Sequence, residues 1–539
     1  MEGPISGSTD WNLADVWEAV AGALPDAPAI SSGDRHLTWS EVDARADGVA
    51  AALVDLGLEP GAKVAQFLYN GPEYLESTFA TFKVALVPVN TNYRYTAGEL
   101  TYLWTNADVR AVIFHGTFAE RIESIRHDVG DIVGWLWVDD GSGPCPDWAS
   151  PYEQAATSGA TPPAVDRTGD DLFLLYTGGT TGMPKGVMWR QDDVFALFNS
   201  QAPRRYDEQG TMADLVALLD GPGPVHLPAC PLMHGTGIFS AMNAWNQGGS
   251  NVLLTARKLD VVELLDAVQR ERVETMAIVG DPFARPMVDA LDAEPDRWDI
   301  SSLVYIMSSG VAWSDDVKDG LIAHHPTLVL VDSFGSSEAI NVGRSVRRAG
   351  VEKPRAQFSV TDRVKVLDAD GRPVGAGTGE KGMVAVAGRG PIGYYKDPEK
   401  SAATFPVYDG VRYTVAGDWA TVEADGKMNL LGRGSACINT AGEKVFPEEV
   451  EAVLKSHASV RDAAVVGVPD PKFVETVAAL VELEDAGDAG ADELIEHVRG
   501  QLAAYKAPRF VVFGPIGRAA NGKLDYPGIK ERVVEAVQG

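Results

Sequence analysis

The sequence predicts an α/β protein: a large N-terminal domain of layered β-sheets with covering helices, a β-rich subdomain after it, and a small, mobile α+β C-terminal domain. Three observations carry this. Short β-branched runs alternate with helical patterns as far as about residue 330. From about Arg363 the texture changes to hairpins, with Asp370-Gly371 and Asp425-Gly426 as turn signals. After Gly432 roughly 105 residues remain, enough for a core of their own, so we place the domains at 1–432 and 433–539.

The elements follow in order. Ser40 is suited to cap a helix from Glu41 to Leu56, which Gly57 stops; Lys63 to Tyr69 reads as a buried strand, and a helix from Glu73 to Val84 enters a strand at Leu86 to Val89. Further strands are expected at Val109 to Phe114, Leu172 to Tyr176, Asn251 to Thr255, Thr275 to Val279, Leu303 to Met307 and Leu328 to Val331, with helices at Asp260 to Arg270 and Asp315 to His324. The stretch Asp140 to Ala164, rich in Gly, Pro, Ser and Ala, reads as a solvated connection. The C-terminal unit reads as a helix at Pro447 to Lys455, strands at Ala463 to Val468 and Thr476 to Leu483, a helix at Ala491 to Leu502 and a strand at Phe510 to Phe513.

Composition narrows the function. No run of eighteen apolar residues occurs, and MEGPISGSTDW has neither the basic nor the apolar segment of a secretory signal, so a cytoplasmic location without integral membrane association is expected. Cys145, Cys230 and Cys437 are too scattered for a disulfide framework or a zinc site. A net charge of −30 disfavours nucleic acid and anionic membrane surfaces.

The most telling string is Tyr176 to Val187, YTGGTTGMPKGV, following the apolar run Leu172 to Leu175. A strand feeding such a loop offers backbone N–H groups, threonine hydroxyls and one lysine to a polyphosphate, and glycine permits the close approach. It is not the common P-loop, because Lys185 lies between Pro184 and Gly186. A second constellation, Asp332-Ser-Phe-Gly-Ser-Ser-Glu338, puts a carboxylate behind two hydroxyls at the C-terminal end of a strand, where open sheets bind ligands. Gly417-Asp418, Gly432-Arg433-Gly434 and Asn521-Gly522-Lys523 follow.

Taken in order, YTGGTTGMPKGV, PLMHGTG (Pro231 to Gly237), SFGSSE, AGDW, LGRGSACINTAGEKVFPEEVE and NGK resemble the core motifs of the adenylate-forming superfamily, and most closely actinobacterial acyl-CoA synthetases acting on fatty or steroid side-chain acids. The resemblance spans nearly the whole chain. It implies that Thr177, Gly178, Gly179, Thr180, Thr181 and Lys185 hold the β- and γ-phosphates of ATP, and that Glu338 binds Mg²⁺. It further implies nucleotide contacts for Asp332, Phe334 and Gly335, with Phe334 where a tyrosine usually stacks on adenine. Ser337, where threonine is common, would donate to the α-phosphate. Asp418 would accept the ribose hydroxyls, and Arg433 would reach ribose or phosphate. Lys523 would bridge the substrate carboxylate and the α-phosphate, and His234 would stand beside the acyl carboxylate, although a core histidine is the lesser alternative reading. The hinge aspartate of the family is replaced by Ser435, and Asn439 stands for a lysine. Gly442 would line the channel for the pantetheine of coenzyme A.

The implied chemistry is adenylation of a carboxylate with loss of pyrophosphate, then transfer of the acyl group to CoA after the small domain rotates about Ser435. Between His226 and Thr255 there is no acidic residue to balance an ammonium group, so an apolar acid is expected. Ile238, Phe239, Met242 and Trp245 are candidate walls, with Gly310, Val311 and Ala312, and Gly280, Asp281 and Phe283 nearby; the same side chains also read as core. Alternatives are an enzyme loading a carrier-protein phosphopantetheine, a non-catalytic nucleotide or acyl sensor, and a kinase or ATPase. A homodimer is left open.

Overall fold

The computed structural model describes the chain apart from residues 1–8, 178–182, 312, 352–356, 434–437, 441–442, 471–473, 485–486, 503, 519–523 and 539. The described strands form three sheets, of fifteen, eight and five strands. In the largest, Val225–Pro228, Thr275–Ile278, Tyr305–Ser309 and Val329–Ser336 run parallel, one beside the next. The chain then turns back antiparallel through Ala339–Arg347 into a hairpin-built region, which includes Asp418–Val422 paired with Met428–Arg433 around Asp425-Gly426. In the eight-stranded sheet, Lys63–Phe67, Val87–Asn90, Val109–His115 and Gly134–Val138 are parallel, and Leu172–Thr177 pairs antiparallel with Lys185–Arg190.

The helix Pro72–Lys83 is buried along its whole length, which its mixed sequence did not foretell. Its polar residues are paired: Arg45 Nε lies 2.8 Å from Glu76 Oε1, and Lys83 Nζ lies 2.7 Å from both Asp43 and Asp47. Buried charges persist only when so compensated.

Several expectations shift. Thr38, not Ser40, caps the second helix, through a capping box with Glu41, so the helix begins at Trp39. The stretch 140–164 is not wholly solvated: Tyr152–Ala156 forms a short helix whose Tyr152 is buried, its hydroxyl donating to Glu76 at 3.1 Å. The strand before Glu338 runs to Ser336, through the motif rather than ahead of it. The C-terminal helix Tyr526–Gln538 and the N-terminal helix Leu13–Ala23 had no sequence expectation.

The last sheet holds Val460–Asp470 antiparallel to Val474–Leu483, with Phe510–Phe513 parallel to the latter. Helices Pro447–Lys455 and Ala491–Arg499 pack on one face and Tyr526–Gln538 on the other, each with its own apolar cluster. Among the described residues, no helix is long and apolar enough to cross a membrane.

Candidate active site

A cleft of about 2150 Å³ runs between the large parallel sheet, the hairpin region and the C-terminal unit. It is lined by Thr177, His234, Asp332, Phe334, Gly335, Ser337, Glu338 and Asp418, so the described motif residues converge although they lie up to 241 positions apart in sequence. Gly178, Gly179, Thr180 and Thr181, Ser435, Gly442 and Lys523 lie outside the described residues, as does the Arg433 side chain.

At one end, the glycine-rich loop connects the strands ending at Thr177 and beginning at Lys185, which pair across its base. The Lys185 ammonium lies 2.6 Å from Asp397 Oδ2 and 5.9 Å from the centre of the Tyr394 ring. That hydrogen bond, aided by the backbone N–H of Lys400, holds the Asp397 carboxyl below the usual carboxylate range. Glu338 occupies the turn after Ser336; its amide donates to Ser336 Oγ at 3.2 Å, and Oε1 accepts from the Tyr394 hydroxyl at 2.7 Å. Trp189 Nε1 donates to Ser337 O at 2.9 Å and fixes that turn against the eight-stranded sheet.

Gly335 is required by close approach, since a Cβ there would meet Ala339 O at 2.9 Å. Phe334 packs 5.6 Å from Phe358, ring to ring, and Asp418 is buried opposite Arg433 in the strand register. Burial raises the Asp332 carboxyl above its ordinary range, although Lys318 Nζ lies only 2.7 Å away. Among the described residues no group of three or more His, Cys, Asp and Glu forms a metal cage. The Glu338 carboxylate, oriented by the Tyr394 hydroxyl, nevertheless fits Mg²⁺, which is commonly held by one or two carboxylates plus substrate phosphates.

Two asparagines that sequence reading missed build the corner carrying His234. Asn90, 5% exposed at the end of an apolar strand, donates to Tyr176 O at 2.8 Å and Met233 O at 2.7 Å and accepts from Tyr176 N at 2.6 Å. Asn70 donates to Cys230 O at 3.1 Å and accepts from Leu232 N at 2.8 Å. The strand end at Tyr176 is thereby tied to the turn ahead of the helix Gly235–Asn246, which His234 caps with extended backbone. The available signal was a lone amide closing each of two buried runs.

The other end of the cleft is a largely apolar sleeve. Period-two alternation divides the parallel strands: Leu227, Ile278, Ile306 and Leu330 face the helices behind the sheet, whereas Tyr305, Met307 and Val331 face the cleft. On the helix Gly235–Asn246, Gly235, Thr236, Phe239, Ser240 and Asn243 form the cleft-facing stripe. Phe239, Gly310 and Val311 line the cavity. Ile238, Met242 and Trp245 do not; they occupy the opposite stripe, in the main core, where Trp245 Nε1 donates to Ala29 O at 3.1 Å. Gly280, Asp281 and Phe283 do not line it either: Phe283 packs behind the sheet, and Asp281 accepts from Ser314 N at 2.8 Å. Ala312 lies outside the described residues.

The AMP-binding enzyme family matches residues 17–395, and its C-terminal domain matches residues 449–523. A 3-oxocholest-4-en-26-oate–CoA ligase of Rhodococcus rhodochrous is 37% identical over 97% of this chain and 96% of that protein. A medium/long-chain-fatty-acid–CoA/3-oxocholest-4-en-26-oate–CoA ligase of Mycobacterium tuberculosis is 38% identical, again over 97% and 96%. Among solved structures, the anthranilate CoA ligase AuaEII with anthranoyl-AMP shares the fold, with a TM-score of 0.84 at 22% identity over 98% of this chain and 99% of that one. The chain belongs to the AMP-binding enzyme family. Within it, this is an ATP-dependent acid–thiol ligase, an AMP-forming acyl-CoA synthetase with a carboxylic acid, ATP and CoA as substrates.

Proposed function

We propose that this enzyme activates a bulky apolar carboxylate of the fatty-acid or steroid side-chain class, as the relatives' names also suggest. The observation that carries the reading is the sleeve itself, where Phe239, Met307, Val311 and Val331 supply apolar wall in the same cavity as the nucleotide-motif residues.

In the first half-reaction the acid lies in the sleeve with its carboxylate near His234, and ATP lies across Phe334, Gly335 and Asp418. Lys185 and the loop 177–181 hold the β- and γ-phosphates, Ser337 donates to the α-phosphate, and Asp332 and Arg433 complete the nucleotide's surroundings. Lys523 bridges the attacking carboxylate and the α-phosphate, stabilising charge that moves toward pyrophosphate. Glu338 would hold Mg²⁺, whose charge would neutralise the pyrophosphate as it departs. The C-terminal unit, beginning at 433, then turns about Ser435, withdraws Lys523 and opens a path past Gly442 for the CoA thiol, which attacks the acyl carbon and releases AMP. A cytoplasmic enzyme, alone or as a homodimer, is the setting that fits.

The test is turnover of ATP with a panel of fatty, aryl and steroid side-chain acids, with and without CoA, separating AMP from ADP. AMP, pyrophosphate and an acyl-CoA from one class are expected. Formation of ADP, or an acyl adenylate that CoA cannot discharge, would refute the proposal.

A further inference from the structure

The strand that opens with Lys185 and the turn that carries Glu338 meet at one side chain outside every motif read from the sequence. Gly393–Tyr394 forms a two-residue strand antiparallel to Lys185–Arg190, with Gly393 opposite Met188 and Tyr394 opposite Val187. Two more backbone bonds extend this ladder, Ile392 N donating to Met188 O at 2.9 Å and Tyr395 N to Gly186 O at 2.8 Å. Tyr394 N also donates to Ser401 Oγ at 2.8 Å, and its ring lies 5.7 Å from that of Phe405, which leaves the residue 6% exposed.

From this fixed place the Tyr394 hydroxyl donates to Glu338 Oε1 at 2.7 Å, in a bond that is itself buried. Glu338 lines the cleft and Tyr394 does not, so the hydroxyl holds the carboxylate from the protein side. Glu338 Oε2 takes no hydrogen bond from the described residues. A buried tyrosine hydroxyl needs an acceptor, and a backbone carbonyl would serve; here the acceptor is a carboxylate that faces the cavity. A charge-assisted bond to one oxygen of a glutamate removes much of the freedom of its side-chain torsions and leaves the other oxygen for a ligand.

We propose that Tyr394 is a positioning residue for adenylation, holding Glu338 in the orientation that takes Mg²⁺; the inference rests on the reading of Glu338 as the carboxylate for that ion. The hydroxyl fixes Oε1 and leaves Oε2 for the cation. Because Tyr394 is laddered to the strand that begins at Lys185, it also fixes where the carboxylate stands relative to the lysine proposed for the phosphates, whose ammonium lies 5.9 Å from the centre of the same ring. Mg²⁺ demands near-ideal geometry and would have to meet the carboxylate and phosphate oxygens together, so a glutamate free to swing would bind it less well. Outer hydrogen-bond partners of metal-binding side chains are commonly worth about 10- to 100-fold in metal affinity.

The test measures Mn²⁺ binding, by electron paramagnetic resonance, to the enzyme with a non-hydrolysable ATP analogue, after subtracting the Mn²⁺ held by free analogue. The Mg²⁺ concentration that half-activates AMP release is measured separately. Tyr394→Phe keeps the ring and removes only the hydroxyl. It is expected to weaken Mn²⁺ binding by about 10-fold or more and to raise the half-activating Mg²⁺ concentration by a similar factor, with the larger share of the loss there rather than in kcat at saturating Mg²⁺. Phe405→Leu disturbs the packing of the ring but keeps the hydroxyl; it should lower Tm and leave Mn²⁺ affinity unchanged. Unaltered Mn²⁺ affinity in Tyr394→Phe, or an equal loss in Phe405→Leu, would overturn the inference and make Tyr394 a packing residue. Glu338→Gln separates this outcome from the reading beneath it: if that variant binds Mn²⁺ as the unaltered enzyme does, Glu338 is not the carboxylate for the ion, and the inference falls with that reading.

Discussion

The two ends of the cleft are built differently. The end proposed for phosphate rests on turns and strand ends: Thr177 and Lys185, the Ser337-Glu338 turn and the strand end at Asp418, steadied by Tyr394 and Trp189. The acyl end rests on the interior of a parallel sheet and one stripe of a helix. Chemistry shared across a family can sit on short motifs, because a phosphate needs only a few donors in a fixed local arrangement. Selectivity for the acid is spread over side chains whose direction depends on the fold around them. On the proposed reading, turns and strand ends would carry the reaction, and rigid elements would choose what reacts.

The sharpest way to break that comparison is to alter the two stripes of the helix Gly235–Asn246. Trp245→Ala empties a core site and should cost about 3–5 kcal/mol of stability in urea or thermal unfolding, leaving acid preference among folded molecules unchanged. Ser240→Val, on the cleft stripe, should instead narrow the sleeve and change the ranking of acids, with a much smaller shift in Tm. If Trp245→Ala re-ranked the acids, the division into stripes would be wrong.

Lys523→Ala addresses the phosphate end. Adenylation, followed by pyrophosphate exchange, should fall about 10²- to 10³-fold, while transfer from preformed acyl adenylate to CoA stays near its original rate. Equal loss in both halves would remove the special role of this lysine.

The acyl end should also respond to pH through His226, whose folded pKa is lowered from the ordinary 6.5 to about 4 by burial. The unfolded chain then binds a proton that the folded one refuses, so the neutral ring's contribution is complete above about pH 6.5 and is lost as pH falls toward 4. That loss approaches about 3 kcal/mol, and His226→Phe should flatten this part of the stability profile in chemical denaturation. An unchanged slope would mean that water reaches the ring.

The smallest effect is expected at Asp397. Because it pairs with Lys185 across partly exposed side chains, Asp397→Asn should release the lysine toward phosphate and lower the KM for ATP by about two- to fivefold. A rise in that KM would mean instead that Asp397 holds the lysine in its productive place.

What could be read from the sequence follows the same division. Ser337, Glu338 and Asp418 stand in short strings whose order survives in one dimension, and the described ones meet in the cleft. The helix at 235–246 was harder to read: Thr236, Ser240 and Asn243 mark a weakly polar stripe that a solvent face and a cavity wall share, and Ile238, Met242 and Trp245, which read equally as walls or core, lie in the core. Asn70 and Asn90 escaped because their partners are backbone atoms more than 80 positions away. The paired charges on the buried helix Pro72–Lys83 escaped for a like reason: a sequence with Glu, Ser and Thr reads as half-exposed until Arg45, Asp43 and Asp47 arrive from elsewhere.

The floor of the sleeve has one last consequence. Tyr305–Ser309 runs its length in five residues, an end-to-end span of about 13 Å at roughly 3.3 Å per step. Such a strand acts as a ruler graduated in residues. Its neighbours hold it in register on both sides, so it cannot be stretched by a fraction of a step. Evolution of a longer or shorter acid must therefore proceed by exchanging the side chains laid along the ruler, and a deletion within it would move every mark to the opposite face of the sheet.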